Sequence, residues 1–307
     1  MPHSRPMAST TLWFESLGPS FSRRRPLSPG AWTCVGALAI PLWATWPTLA
    51  LRAIEMPAFE CLTVMFLVGW LVLIPLERPA RHEPGRSAAK SSWLPAFAFA
   101  LGASVGDALF IASTHHIPSA QANLIAYLWP VMIVGFGAAG GLFRLRLRQL
   151  LGLALGFAGA AILMNDGRLS LSPVGIGLAL LSGACWALYC LFRLKWQAPA
   201  SQVLARGCAL SAALCAALHF LFESTVIPGW GALAGAAAAG IVPLALGNFV
   251  WDQGFRRGDS QLLAVMAYAT PLCSALLLVW LGLALFTPSL GLGAIVIVLA
   301  GWFARTS

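Results

Sequence analysis

Apolar stretches recur along almost the whole chain of 307 residues, and each is about long enough to form a membrane helix. A helix needs about 20 predominantly apolar residues to cross the hydrocarbon core of a bilayer. Only 9% of the residues are charged, whereas 59% are hydrophobic, so the chain cannot cover a water-facing surface as a soluble domain does. These features predict an all-α, multi-pass membrane protein.

Charged residues and turn formers divide the chain into ten candidate helices. In the first half they cover about 30–50, 57–76, 92–115, 118–141 and 147–164. In the second half they cover about 173–193, 199–222, 230–255, 260–282 and 288–304. The first candidate helix follows an arginine cluster, as the apolar core of a twin-arginine or secretory leader does. Because further spans follow it, we interpret it as a membrane helix.

The basic residues are distributed unevenly between the loops of the two membrane sides. Nearly all of the 19 Lys and Arg residues fall in the two ends of the chain or in the loops of one side, whereas Arg52 and Arg168 fall on the other. Cytoplasmic loops retain an excess of Lys and Arg, so both termini are predicted to be cytoplasmic. Because topology accounts for the net charge of +9, we expect no nucleic-acid partner.

A segment of the first half repeats in the second half at an offset of 141 residues. The stretch "VGDALFIASTHHIPSAQANLIAYLWP" (105–130) aligns without a gap to "LGNFVWDQGFRRGDSQLLAVMAYATP" (246–271). Ala-Tyr-x-x-Pro occurs in both copies, and the alignment pairs Asp107 with Asn248. The offset maps the third candidate helix onto the eighth and the fourth onto the ninth. Each half therefore has five helices, and this odd number makes the two halves enter the membrane in opposite directions.

Inverted repeats are typical of secondary transporters, whose binding site lies near the middle of the membrane where the repeats meet. We predict a cytoplasmic tail at 1–29, a first repeat at 30–164, a linker at 165–172 and a second repeat at 173–304. Pro130 and Pro271 each fall about 13 residues into their candidate helices, close to the membrane middle. Each proline removes one backbone hydrogen bond, so we predict that both act as hinges.

Polar and aromatic side chains share faces of several candidate helices. Asn123 and Tyr127 are four residues apart, which places them on one face. Asp107 is the strongest polar candidate, because an intramembrane carboxylate usually faces a cavity or a partner; a structural, hydrogen-bonding role stays open. Asp252 has Arg256 four residues later, which favours a helix-end ion pair. For the deep tryptophans, packing is as good an interpretation as ligand contact.

No motif for nucleotide hydrolysis, nucleophilic catalysis or metal binding occurs in the sequence. There is no nucleotide-binding loop, no nucleophile elbow and no pair of metal ligands on one helix face. The seven cysteines show no CxxC spacing. We therefore expect no enzyme activity, no cofactor and no bound metal.

The arrangement resembles the drug/metabolite transporter superfamily. The resemblance covers residues 30–304 and implies ten membrane helices in two inverted five-helix repeats around a central cavity. It is most specific in "SAQANLIAYLWPVMIVGF" and its later copy "DSQLLAVMAYATPLCSALLL", which are similar to EamA-type repeats. Within the superfamily, "STHHIPSAQANLIAYLWP" most resembles bacterial aromatic amino acid exporters of the YddG type.

The resemblance implies export of aromatic and related neutral amino acids across the bacterial inner membrane by alternating access. The expected partners are a small-molecule substrate and the lipid bilayer, and we expect a monomer. A multidrug, organic-cation or other metabolite exporter of the same superfamily is the alternative, because aromatic rings also bind cations. Carried over by position, the substrate-binding residues implied are Trp43, Trp46, Asp107, Phe110, Asn123, Tyr127, Trp186, Tyr189, Asn248, Trp251 and Tyr268.

Overall fold

The computed structural model describes residues 27–76, 92–165, 167–196 and 198–304. Among these residues, nine helices are long and apolar enough to cross a membrane, and one further apolar helix is shorter. The described part of the chain is therefore an all-helical, multi-pass membrane protein. Most of the predicted N-terminal tail and the basic residues of the loop after the second helix lie outside the described residues.

The bounds of the helices agree with the sequence prediction to within a few residues. The nine longer helices are α1 Pro29–Arg52, α2 Ala58–Leu76, α3 Trp93–Thr114, α4 Ser119–Ala139, α5 Leu147–Met164, α6 Pro173–Lys195, α7 Ala200–Phe222, α8 Trp230–Arg257 and α9 Ser260–Trp280. The shorter helix, α10, is Pro288–Ala304.

Local chemistry at the helix starts explains this agreement. Proline is the first residue of α1 and of α6, where its fixed φ suits a helix and its missing N–H group is not needed. Asp259 precedes α9, and its Oδ1 accepts a hydrogen bond of 2.9 Å from the backbone N–H of Leu262. Such capping satisfies a donor that the first turn leaves unpaired.

Both α3 and α8 contain a π-helical segment in their middle. The segment is Leu101–Val105 in α3 and Gly240–Gly247 in α8. Shifted by the repeat offset, the first segment falls within the second. Asp107 and Asn248 come just after these segments, at equivalent positions of the two halves. Since π-helical turns are rare and occur frequently at functional sites, these two positions are candidates for binding.

Both α4 and α9 are interrupted near the prolines that we predict to be hinges. The pieces are Ser119–Ala126 and Trp129–Ala139 in α4, and Ser260–Met266 and Ala269–Trp280 in α9. Pro130 and Pro271 lack the N–H group that would continue the hydrogen-bond ladder. The carbonyl oxygen of Ala126, to which the residue at position 130 would otherwise donate, faces Gly183 of α6, where an added Cβ would lie only 2.6 Å away. The hinge role of the prolines stays a prediction.

The helix pairs that pack together correspond between the two halves. In the described bundle α3 packs on α6, α8 packs on α1, α2 packs on α7 and α5 packs on α10. If each of α1 to α5 is exchanged for the helix five places later, and each of α6 to α10 for the helix five places earlier, the same four pairs result. Small residues allow the close approaches: a Cβ added to Gly36 of α1 would lie 3.0 Å from the Cα of Gly254 in α8.

Candidate functional site

A cavity of about 520 Å³ lies inside the helix bundle, between α1, α3, α4, α6, α8 and α9. This volume is in the range of small-molecule sites, about 300–1,000 Å³. The predicted hinge residue Pro271 lies on its wall, whereas Pro130 is buried beside it. The predicted substrate-binding residues that line the cavity are Trp43, Trp46, Asp107, Phe110, Asn123, Tyr127, Trp186 and Asn248.

Tyr189 and Trp251, which were also predicted to bind substrate, lie behind the cavity wall. Each comes three residues after a wall residue, Trp186 or Asn248, and so lies about one helical turn further along. Tyr189 is 4% exposed and Trp251 is 2% exposed. The ring centroid of Trp251 lies 5.0 Å from that of Trp43, so Trp251 supports a wall residue rather than forming the wall.

Tyr268, the last predicted binding residue, is fully buried and packs against α5. Its ring centroid lies 6.4 Å from that of Phe157, and a Cβ added to Gly156 would approach the Tyr268 Cβ to 3.1 Å. Its repeat counterpart Tyr127 lines the cavity. The repeat therefore equates the two positions in the chain, but the neighbouring helix decides which tyrosine reaches the cavity.

The aromatic part of the wall is built around Trp43 of α1. Its ring centroid lies 6.3 Å from that of Trp129 and 6.4 Å from that of Trp186, with the rings close to perpendicular in both pairs. The Trp43 Nε1–H group donates a hydrogen bond of 3.1 Å to Asn248 Oδ1. This bond fixes the indole against α8 and leaves the amide NH₂ group of Asn248 available to a ligand. Rings in this edge-to-face arrangement present both faces and edges to a bound aromatic group.

Asp107 of α3 is the one charged residue among the described residues of the wall. Nothing in the described part of the chain forms a hydrogen bond or an ion pair with its carboxylate. Uncharged polar groups complete the wall, and they come from Asn123, Ser182, Thr270 and Ser274. An unpaired carboxylate in an otherwise neutral and aromatic cavity is suited to a ligand that carries a positive group.

One end of the bundle is closed beyond the aromatic wall by a buried cluster of charges. Arg193 Nε lies 2.6 Å from Asp252 Oδ1, and each side chain is 2% exposed. The same guanidinium donates hydrogen bonds to the backbone carbonyl oxygens of Trp196, at 2.7 Å, and Ala198, at 2.6 Å. Arg256 Nη1 lies 3.4 Å from Asp252 Oδ2. The predicted pair of Asp252 and Arg256 is therefore present, but a closer partner comes from α6.

The other end of the cavity is lined by residues close to the ends of their helices. Trp46 lies in the last third of α1, Met164 is the last residue of α5, and Leu278 is near the end of α9. Trp46 is 37% exposed, in contrast to the buried residues at the closed end. The cavity is therefore reached from the end of the bundle at which α5 ends and α6 begins.

Comparison with known proteins agrees with this architecture. Residues 30–165 match the EamA-like transporter family. A relative from Ancylobacter novellus, the aromatic amino acid exporter YddG, is 32% identical over 278 residues, which cover 89% of this chain and 96% of the relative. The chain belongs to the EamA-like transporter family. It is therefore a transporter and not an enzyme.

Two further similarities cover most of this EamA-like chain. The aromatic amino acid exporter YddG of Salmonella typhimurium is 24% identical over 261 residues, which cover 80% of this chain and 86% of the relative. A protein of known crystal structure superposes with a TM-score of 0.82 at 30% identity, covering 91% of this chain and 97% of that chain. The helix arrangement described above is thus shared with an experimentally determined fold.

Several wall residues of this EamA-like transporter were not predicted from the sequence. Phe66 comes from α2, a helix that carries no polar stripe. Thr270 and Ser274 come from α9, on either side of Pro271 and four residues apart. That spacing is the sequence signal that would have found them, because residues four apart share a helix face.

Proposed function

We propose that this EamA-like transporter exports aromatic and related neutral amino acids across a bacterial inner membrane by alternating access, acting as a monomer in the lipid bilayer. The observation that carries the proposal is the cavity wall formed by Trp43, Trp129 and Trp186. Aromatic substrate side chains gain both burial and edge-to-face contact against such rings. The amide groups of Asn123 and Asn248 offer donors to a substrate carboxylate. The two relatives named as aromatic amino acid exporters support the same substrate class.

The proposed mechanism uses ten membrane helices in two inverted repeats, 30–164 and 173–304, joined by the linker 165–172. The π-helical segments of α3 and α8 and the interruptions of α4 and α9 recur at the repeat offset and support this architecture. The family match over residues 30–165 supports the extent of the first repeat. Interrupted helices beside a central site are the elements at which each repeat bends to expose the site to alternate sides.

The direction of opening follows from the predicted topology. With both termini in the cytoplasm, α5 ends and α6 begins at the outer surface, so the open end of the cavity faces outward. The cluster of Arg193, Asp252 and Arg256 then closes the cytoplasmic end. We propose that the structure corresponds to the outward-open state and that loading of substrate from the cytoplasm requires Arg193 and Asp252 to separate.

Counterflow in proteoliposomes tests the proposed function. Liposomes that contain the purified protein and unlabelled tryptophan are placed in buffer with a trace of labelled tryptophan, and label uptake is followed. We expect rapid uptake by the wild type. In Trp186→Leu, which removes one wall ring, we expect uptake to fall roughly tenfold, because aromatic contact and burial are both lost.

The matched control is Trp302→Leu. Trp302 lies on α10, away from the cavity, and is 64% exposed, so this variant should transport like the wild type. Wild-type uptake no faster than in empty liposomes, or equal losses in both variants, contradicts the proposal. Stronger competition by benzyltrimethylammonium, a cation with no N–H group to donate, than by phenylalanine favours the alternative, an organic-cation exporter.

A further inference from the structure

The described cavity wall carries an acidic group but no basic one. Among the described residues that line the cavity, Asp107 is acidic and none is Lys, Arg or His. An amino acid substrate brings both an ammonium group and a carboxylate group. The wall offers a charged partner to the ammonium group and only neutral donors to the carboxylate group. The two ends of such a substrate are therefore recognised unequally.

The two aspartates within the helices of the bundle differ in their partners. Asp252 has an arginine on α6 at 2.6 Å and a second one on its own helix at 3.4 Å. Asp107 is bonded to nothing in the described part of the chain. A carboxylate at membrane depth is unfavourable unless a positive group or a proton balances it. Since the described wall supplies no positive group, the balance comes from a proton or from a ligand, and an ammonium group of a ligand supplies both a positive charge and N–H donors.

The repeat shows that a charge is not needed at this position for packing. Asn248 occupies the equivalent place after the π-helical segment of α8, and it holds Trp43 with a neutral amide oxygen. An asparagine has nearly the same shape as an aspartate, so the carboxylate at position 107 adds charge rather than volume. Asp107 also lies on the same wall as the three tryptophan rings, Trp43, Trp129 and Trp186.

We propose that Asp107 is the ammonium-binding residue of the cavity and that the protein accepts aromatic amines that lack a carboxylate group. This inference rests on the proposed function of the cavity as the substrate site. The N–H groups of the ligand ammonium donate to the Asp107 carboxylate, while the ligand ring packs against the tryptophans. The ligand carboxylate finds only the amides of Asn123 and Asn248, so it contributes less and is dispensable.

Three ligands with the same indole ring distinguish the contribution of the ammonium group to binding from that of the carboxylate group. Tryptamine carries the ammonium group, indole-3-propionate carries the carboxylate group and tryptophan carries both. Their binding to the purified full-length protein in detergent is measured by isothermal titration calorimetry. We expect tryptamine to bind at least as tightly as tryptophan and roughly tenfold or more tighter than indole-3-propionate, as one charge-assisted hydrogen bond predicts.

Variants at position 107 test whether Asp107 causes the preference for an ammonium group. Asp107→Asn should weaken the binding of tryptamine and tryptophan by about tenfold or more and leave indole-3-propionate unchanged or tighter. Asp107→Glu keeps the charge and should keep the order of the three ligands. Glu55→Gln removes the same charge from an exposed residue near the open end of the bundle and should change none of the three affinities.

The outcomes that overturn the inference are distinct from failure of the proposed function. Indole-3-propionate binding as tightly as tryptamine, no binding of tryptamine, or an equal loss for all three ligands in Asp107→Asn overturns it. If Asp107→Asn does not fold, the wild-type order of the three ligands still decides. Absent tryptophan counterflow together with Asp107-dependent tryptamine binding contradicts the proposed function and supports the inference.

Discussion

The ion pair between Arg193 and Asp252 joins α6 to α8 at the closed end of the bundle. Both side chains are almost fully buried, and the two terminal nitrogens of Arg193 also donate to backbone carbonyl oxygens. Removing one member of such a pair leaves a buried charge without its partner. We predict that Asp252→Ala lowers the free energy of unfolding by about 3–5 kcal/mol, measured by denaturation in mixed micelles.

A double variant and an exposed arginine provide the comparisons for this prediction. Combining Asp252→Ala with Arg193→Met should recover part of the loss, because the fully buried arginine is then removed and only Arg256, which also donates to a backbone carbonyl oxygen, lacks its carboxylate. Arg257→Met removes an exposed arginine that stacks on Trp32 at the end of the same helix and should have a much smaller effect. If Asp252→Ala lowers the free energy of unfolding as little as Arg257→Met does, water rather than Arg193 solvates the carboxylate, and the prediction is wrong.

At the scale of helices, the prolines at the interruptions of α4 and α9 determine whether each helix can bend there. Alanine at position 130 or 271 supplies the missing N–H group and permits a continuous, stiffer helix. We predict that Pro130→Ala and Pro271→Ala slow tryptophan counterflow severalfold while the dissociation constant for tryptophan changes little and the protein still folds. Transport rate and binding are measured on the same preparation.

Pro288→Ala is the matched control for the two predicted hinge prolines. Pro288 is the first residue of α10, where no helical hydrogen bond is missing, so its replacement should leave transport unchanged. If instead the variants at positions 130 and 271 lose binding but keep their rate of conformational exchange, the prolines shape the pocket. That result contradicts the hinge prediction, and for Pro271 it would reflect its place on the cavity wall.

At the scale of the whole molecule, the orientation in the membrane decides in which direction the open cavity points. Leu169, in the linker after α5, is 83% exposed, and Leu145, before α5, is 54% exposed. We predict that a cysteine at position 169 reacts with an impermeant maleimide added to intact cells. A cysteine at position 145 should react only after the membrane is permeabilised, because the arginines around it mark the cytoplasmic side.

The labelling is done in a protein that lacks Cys34, since that native cysteine is exposed. The same protein without an added cysteine serves as the blank for the remaining native cysteines. Labelling of position 145 in intact cells, together with protection of position 169, reverses the orientation. The cavity would then open to the cytoplasm, and the outward-open assignment would be wrong.

Much of the cavity wall could be predicted from the sequence because the aligned segments locate equivalent positions in the two halves. Asp107 and Asn248 were paired by the alignment, and both lie on the cavity wall after a π-helical segment. The same argument was insufficient for Tyr127 and Tyr268, of which only the first lines the cavity. The alignment equates positions along the chain, whereas lining depends on which helix packs against each face.

The sequence by itself determined the all-helical membrane class, the bounds of the helices and the interruptions at Pro130 and Pro271. These properties are local, since a bilayer demands about 20 apolar residues per helix and a proline removes its own hydrogen bond. Only the tertiary structure brought Arg193 to Asp252, 59 residues away, and chose which aromatic rings surround the cavity. The physical reason is that a periodic pattern shows which face of a helix is polar, but it does not show which other helix packs against that face.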